Sequence, residues 1–216
     1  MVINSDAVIY AMAKKIAIID YGLGNLRSIK KGFEKVGAEP FITNDDRSIK
    51  EADGIVLPGV GAFKSAMEKL EGKESIIYEL IDDGKPILGI CLGMQILVRE
   101  STEGGLIDGL KIIPGRVIKF DGEEMKGLKI PHMGWNNIKI NVEDPLFEGM
   151  KRNYFYFVHS YYVQTDERYV LAESEYGKKF AASIFYPEKK IYGTQFHPEK
   201  SGEDGIKILS NFLEMC

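Results

Sequence analysis

Cysteine, histidine and long apolar runs are all scarce in this chain of 216 residues, and each scarcity excludes something. Only two cysteines occur, Cys91 inside an apolar segment and Cys216 at the last position. No disulfide framework is expected, and no CxxC pair is present for zinc or redox work, which fits a reducing compartment. The histidines number three, His132, His159 and His197; they are so scattered that a metal cage would have to be gathered from distant loops. No stretch reaches transmembrane length, and the opening "MVINSDAVIYAMAK" lacks the charged start and long apolar core of a secretory signal. A cytoplasmic protein is expected. Net charge is only −4, with 28 basic and 32 acidic residues interspersed, so there is neither a basic stripe for nucleic acid nor an acidic tail. The ligand is expected to be small, or another protein.

What is present is material for one well-filled core. "MAKKIAIID" from Met12 reads as a start running into a first strand, which sets residues 1–14 apart as an extension and leaves 15–216 as a single domain. The first half alternates apolar runs with helical patterns: "KIAIID" (15–20), a helix from about Asn25 to Val36, "PFIT" (40–43), "GIVLPG" (54–59), "AFKSAMEKL" (62–70), "SIIYELIDDG" (75–84) and "PILGI" (86–90). Strands apolar on both faces are covered on both sides, so the pattern predicts a three-layer, flavodoxin-like α/β fold with a largely parallel sheet. After a helix containing "MQILVRE" the texture becomes β-branched and aromatic, in "GRVIKF", "NNIKI", "YFYFVHSYYV", "YVLAES", "FAASIFY" and "KIYGTQF". These predict additional antiparallel strands in the second half, closed by a helix over about Glu203 to Leu213.

Gly89-Ile90-Cys91-Leu92-Gly93 has the G-x-nucleophile-x-G form of a nucleophile on a tight strand-to-helix turn. Glycines let neighbouring backbone approach, and the helix that follows aims its amides at the thiol, which favours the reactive thiolate. On the pattern alone, a buried cysteine acting as a small hydrophobe is an equal alternative. A nucleophile needs a base, and His197 in "QFHPEKS" follows an apolar strand with Glu199 two residues on. In extended backbone that spacing points both side chains the same way, so the carboxylate can orient the imidazole. The loop "LPGVGAF" (57–63) can turn Gly59 and Val60 amides toward a substrate, joined by the N–H of Leu92. Both turns fall where strands end in an open α/β sheet.

Together, "PGVGAF", "GICLGMQ" and "QFHPEKS" resemble the three signature segments of the class I, triad-type glutamine amidotransferases, in the expected order. The resemblance implies that Cys91 attacks the side-chain amide of glutamine, that His197 passes a proton to departing ammonia, and that Glu199 orients the histidine. It also implies an oxyanion hole at Gly59, Val60 and Leu92, with glutamine held by Gly59, Gln95, Ser160 and Tyr161. "DYGLGNLRSI" (20–29) and "IPHMGWNN" (130–137) resemble the branch of the family that feeds ammonia to imidazole glycerol phosphate synthase. That likeness implies a heterodimer with a cyclase subunit, a (β/α)₈ barrel, met by Asn25, Met133, Trp135, Tyr156 and Lys200. A partnered synthase favours a silent resting state, in which the Gly59–Val60 peptide presents its carbonyl to the pocket. No metal or organic cofactor is implied, because thiolate and backbone dipoles supply the chemistry. Two readings compete: an amidotransferase subunit of another synthase, and a non-catalytic binding subunit on the same scaffold.

Overall fold

The computed structural model describes residues 13–216. Most of the extension expected at residues 1–14 therefore lies outside the described residues. Lys14 belongs to the fold: its carbonyl accepts from the Glu39 N–H, and its Nζ donates to the Leu213 carbonyl at 3.1 Å.

Alternating elements build a central sheet with helices on both sides. In chain order they are β1 (Lys15–Ile19), α1 (Leu26–Lys35), β2 (Glu39–Thr43), α2 (Asp46–Lys50), β3 (Gly54–Leu57), α3 (Phe63–Leu70), α4 (Glu74–Asp82), β4 (Ile87–Ile90) and α5 (Leu92–Ile96). The second half contributes β5 (Val98–Ser101), β6 (Ile107–Asp108), β7 (Ile113–Lys119), β8 (His132–Asn137), β9 (Lys139–Ile140), β10 (Tyr154–His159) and β11 (Tyr161–Gln164). The chain ends through β12 (Val170–Tyr176), β13 (Lys178–Tyr186), β14 (Ile191–Thr194) and α6 (Gly202–Met215). Eight strands form the main sheet in the order β2-β1-β3-β4-β14-β13-β12-β9. Two smaller sheets, β10-β8 and β11-β7-β5-β6, flank it.

The buried strands explain the three layers. On β1, Ala17 and Ile19 enter one apolar cluster, and Ile16 and Ile18 enter the other, on the opposite face. Period-two alternation thus fills two cores at once. Phe33, Phe155, Phe157 and Phe212 are fully buried in the second core. Truncating any of them to alanine is expected to cost about 3–5 kcal/mol.

Four expectations are corrected. β14 pairs parallel with β4, Ile191 opposite Ile87. The hairpin to β13 reverses the chain first, so β14 returns in the direction of the parallel strands and completes them. The helix over "MQILVRE" stops at Ile96, and Val98–Ser101 is a strand that pairs with β6 and β7; β-branched Val98 gains a ladder there that outweighs a weak helical tendency. "YFYFVHSYYV" breaks at Ser160, with β10 joining β8 and β11 joining β7. "NNIKI" is not one strand: Asn136 and Asn137 end β8, while Lys139 and Ile140 form β9 on the main sheet.

The C-terminal ends of adjacent strands β1, β3, β4 and β14 lead directly into the "YGLGN", "PGVG", "CLG" and "QFHPE" turns. Among the described residues no helix is long and apolar enough to cross a membrane.

Candidate active site

β4 delivers Cys91 onto a turn with φ 55° and ψ −106°, a left-handed conformation rare outside glycine. Holding it there costs on the order of 1–3 kcal/mol, which surrounding contacts must offset. The Cys91 N–H donates to the Thr194 carbonyl at 2.7 Å, stitching the elbow to β14. Neither flanking glycine tolerates a side chain: a Cβ on Gly89 would lie 2.5 Å from the Gly93 carbonyl oxygen, and one on Gly93 would lie 1.8 Å from the Leu57 carbonyl oxygen. The strand-to-helix spacing in "GICLG" is therefore a packing requirement as well as a chemical one.

The predicted base lies beside the predicted nucleophile. His197 lies three residues beyond the end of β14, a strand hydrogen-bonded to the Cys91 elbow. Its Nδ1 stands 2.9 Å from Glu199 Oε1, with both side chains essentially sealed from solvent. Because Glu199 can only accept, Nδ1 carries the proton, which leaves Nε2 free toward Cys91; among the described residues that nitrogen has no hydrogen-bond partner. Burial works against a charge on His197. Cys91, chiefly by charge, and Glu199, by its bond and charge, outweigh it and push the imidazole up to about 10.

A cavity of about 320 Å³ opens over Cys91, lined by Val60, Gln95, Glu103, Ser160 and Tyr161 among others. A larger groove near Asp144 and Phe147 shares none of these residues. The Leu92 N–H donates to the Gly59 carbonyl at 3.4 Å, so the Gly59–Val60 peptide turns its oxygen, not the Val60 N–H, toward the Leu92 amide. Gln95 Nε2 donates to the Tyr161 carbonyl and to Gln195 Oε1, both at 3.0 Å.

The structure gathers most of the residues expected at a partner surface. Met133 and Trp135 stand on the same face of β8 and are 62% and 47% exposed. Trp135 stacks on Tyr154 with centroids 5.6 Å apart and meets Tyr156 edge-on, and Lys200 Nζ lies 5.9 Å over the Tyr156 ring. Asn25 stands on the loop after β1, where neighbouring Gly24 lies against the Pro58–Gly59 backbone. That places the chain next to Asn25 beside the 57–61 loop.

Sequence reasoning missed three residues here. Gln195 donates to Cys91 Sγ at 3.6 Å; a glutamine inside the apolar run "IYGTQF" was its available signal. Glu103 brings a carboxylate to the cavity, accepting from the Phe63 N–H at 2.8 Å, with no signal in "STEGG". Tyr21 buries its hydroxyl without a partner among the described residues, and desolvation drives its ionisation far upward; nothing in "DYGLGN" marks it.

A glutamine amidotransferase class-I family model matches residues 17–216. The imidazole glycerol phosphate synthase subunit HisH of Methanosarcina acetivorans is 55% identical over 204 residues, covering 94% of this chain and all of the relative. The subunit of the same name from Methanocaldococcus jannaschii is 52% identical over 201 residues, covering 93% and 99%. Among solved structures, a chain of PurLQS from Thermotoga maritima superposes with a TM-score of 0.72 at 21% identity, over 94% of this chain and 99% of that one. A glutamine amidotransferase from Thermotoga maritima gives 0.59 at 23% identity, over 86% and 76%. At those identities the superpositions speak for the fold alone. The chain belongs to the class I glutamine amidotransferases, and within them to the family of imidazole glycerol phosphate synthase HisH subunits.

Proposed function

We propose that this chain is the glutaminase subunit of a cytoplasmic imidazole glycerol phosphate synthase, acting in histidine biosynthesis. One observation carries the reading: the buried arrangement of Cys91, His197 and Glu199 beside a cavity large enough for an amino acid. The Cys91 thiolate attacks the side-chain amide carbon of glutamine. His197, protonated at Nε2, gives that proton to the departing nitrogen, and ammonia leaves behind a γ-glutamyl thioester. Water, losing its proton to His197, then attacks the thioester and releases glutamate and thiolate. Glu199 keeps the imidazole in the tautomer and orientation that both transfers need. Leu92 and, after rotation of the Gly59–Val60 peptide, Val60 supply N–H groups to the tetrahedral oxyanion. Gly59, Gln95, Ser160 and Tyr161 hold the substrate, and the Glu103 carboxylate is chemically suited to its α-ammonium group.

Ammonium is no nucleophile, so ammonia gains by leaving through an enclosed path into a cyclase partner built as a (β/α)₈ barrel. The exposed Met133, Trp135 and Lys200 and the half-buried Tyr156 are the residues proposed to meet it, with Asn25 beside the 57–61 loop. An apolar and aromatic cluster of this kind suits a protein partner.

Glutamate release by the full chain, alone and with the barrel, with and without the barrel's nucleotide substrate, tests the reading. Strong activation only in the ternary mixture is the expected result. High activity alone would point to another acceptor, and no activity with Cys91 intact would favour a binding subunit.

A further inference from the structure

Two histidines outside the triad, His132 and His159, lie side by side in an aromatic box at the edge of the cavity. His132 stacks on Tyr176 with centroids 4.1 Å apart and on Phe157 at 5.1 Å. His159 packs against Phe120 and Phe180 and lines the cavity itself. Burial lowers both, His132 to about 4 and His159 to about 3, so both rings are neutral at pH 7.

A neutral imidazole has one donor and one acceptor, and here the partners decide which is which. His159 Nδ1 is 2.8 Å from the Tyr161 carbonyl oxygen, which can only accept. The proton is therefore on Nδ1, and His159 Nε2 is an acceptor. His132 Nδ1 lies 3.1 Å from that Nε2, so His132 is the donor and its own Nε2 accepts. Asn136 Nδ2 is 3.4 Å from this last nitrogen and also donates to the Glu175 carbonyl at 2.8 Å. Every donor points the same way, from Asn136 through His132 and His159 to the carbonyl of Tyr161. That carbonyl also receives Gln95, and Gln95 leads through Gln195 to Cys91 Sγ.

The two ends of this relay give it meaning. One end is the Tyr161 peptide at the pocket. The other is β8, where His132 is buried while Met133 and Trp135 stand exposed on the strand's other face. We infer that His132 and His159 are positioning residues for the glutamine pocket. They hold the Tyr161 carbonyl, and through it Gln95, in register with Cys91, and they tie that register to the strand carrying Met133 and Trp135. The inference rests on the glutaminase reading and deepens it. Simple space-filling by two aromatic rings would require neither a fixed tautomer nor a common donor direction.

Long-range proton–nitrogen NMR correlation on the full chain labelled with ¹⁵N-histidine reads the tautomers directly. Both rings are expected neutral at pH 7 with the proton on Nδ1; an Nε2-protonated or charged ring at either position overturns the relay. The kinetic arm uses the partnered complex with its nucleotide substrate. His159→Phe is expected to raise KM for glutamine roughly three- to tenfold, the size of one lost neutral hydrogen bond, with ammonium-dependent synthesis unchanged. His159→Asn places an amide donor where Nδ1 stood and is expected to recover most of that loss. A KM unmoved by His159→Phe, or a His159→Asn variant as impaired as His159→Phe, overturns the positioning role. Glutamate release by the wild-type complex with KM unmoved defeats this inference alone, whereas no release by the wild-type complex defeats the glutaminase reading as well.

Discussion

The Leu92 N–H and the Gly59 carbonyl face one another at 3.4 Å beside Cys91, and the Leu92 amide is one of the groups proposed to receive the oxyanion of a substrate attached to Cys91. A carbonyl oxygen there repels the developing negative charge and occupies the donor that should receive it. The contact is long for a hydrogen bond, so little holds it in place. Rotation of one peptide exchanges the carbonyl for the Val60 N–H and adds a donor in the same movement.

The first prediction follows from that exchange. Losing one oxyanion donor costs about 100- to 1000-fold in rate, so the isolated chain should turn over glutamine slower than the liganded complex by on the order of that factor. Steady-state glutamate release measures the ratio. Comparable rates in the two states would leave the resting peptide orientation without a catalytic role.

Strain at Cys91 gives a second prediction, separate from activity. Its φ of 55° is unfavourable for alanine as well as cysteine, and glycine is relieved of it. Cys91→Gly is therefore expected to melt roughly 2–4 °C above Cys91→Ala, corresponding to about 1 kcal/mol in a domain of this size. Calorimetry of the two inactive variants decides it. Both should lose glutamine-dependent synthesis and keep ammonium-dependent synthesis in the partnered complex, because the elbow does not hold the acceptor.

The proposed nucleophile and base stood out before the fold because their signals are local. Glycines two residues either side of Cys91, and a carboxylate two residues past His197, are patterns a short window can hold. The parallel half of the sheet was legible for a similar reason, since strands buried on both faces leave unbroken apolar runs. What stayed hidden depends on pairing across long separations. Val98 becomes a strand because β7 lies alongside it. Ser160 divides an aromatic run because its two halves join different sheets. The link from Gln195 to Cys91 spans 104 positions, and no window contains it.

The His197 pKa carries a third prediction, with a definite sign. Raised to about 10 from an ordinary 6.5, the folded imidazole binds a proton that the unfolded one has released between those values. The stability contributed by its charged form is complete below about pH 6.5 and disappears as pH rises through about 10. Chemical denaturation of the wild type and of His197→Gln should thus differ most below pH 6.5 and converge above pH 10. Alkylating Cys91 removes the first of the raising causes, so the His197 midpoint, followed by NMR, should fall. A midpoint indifferent to alkylation would mean that Glu199 alone holds the charge.

Trp135 is the chain's sole tryptophan and is 47% exposed, stacked on Tyr154 and edge-on to Tyr156. An indole half in water emits to the red, and covering it with a partner's surface moves emission to the blue. Mixing this chain with a tryptophan-free variant of the barrel should therefore blue-shift the emission in a saturable titration. Trp135→Ala should weaken association by at least about 2 kcal/mol if this residue anchors the centre of the interface, roughly a thirtyfold rise in Kd. The alternative is that the aromatic cluster merely caps β8 and β10. In that case Trp135→Ala would lower the melting temperature of the isolated chain and leave the partner affinity of its folded fraction unchanged. Measuring both quantities on the same variant separates an anchor from a cap, because only an anchor moves Kd while the fold stays intact.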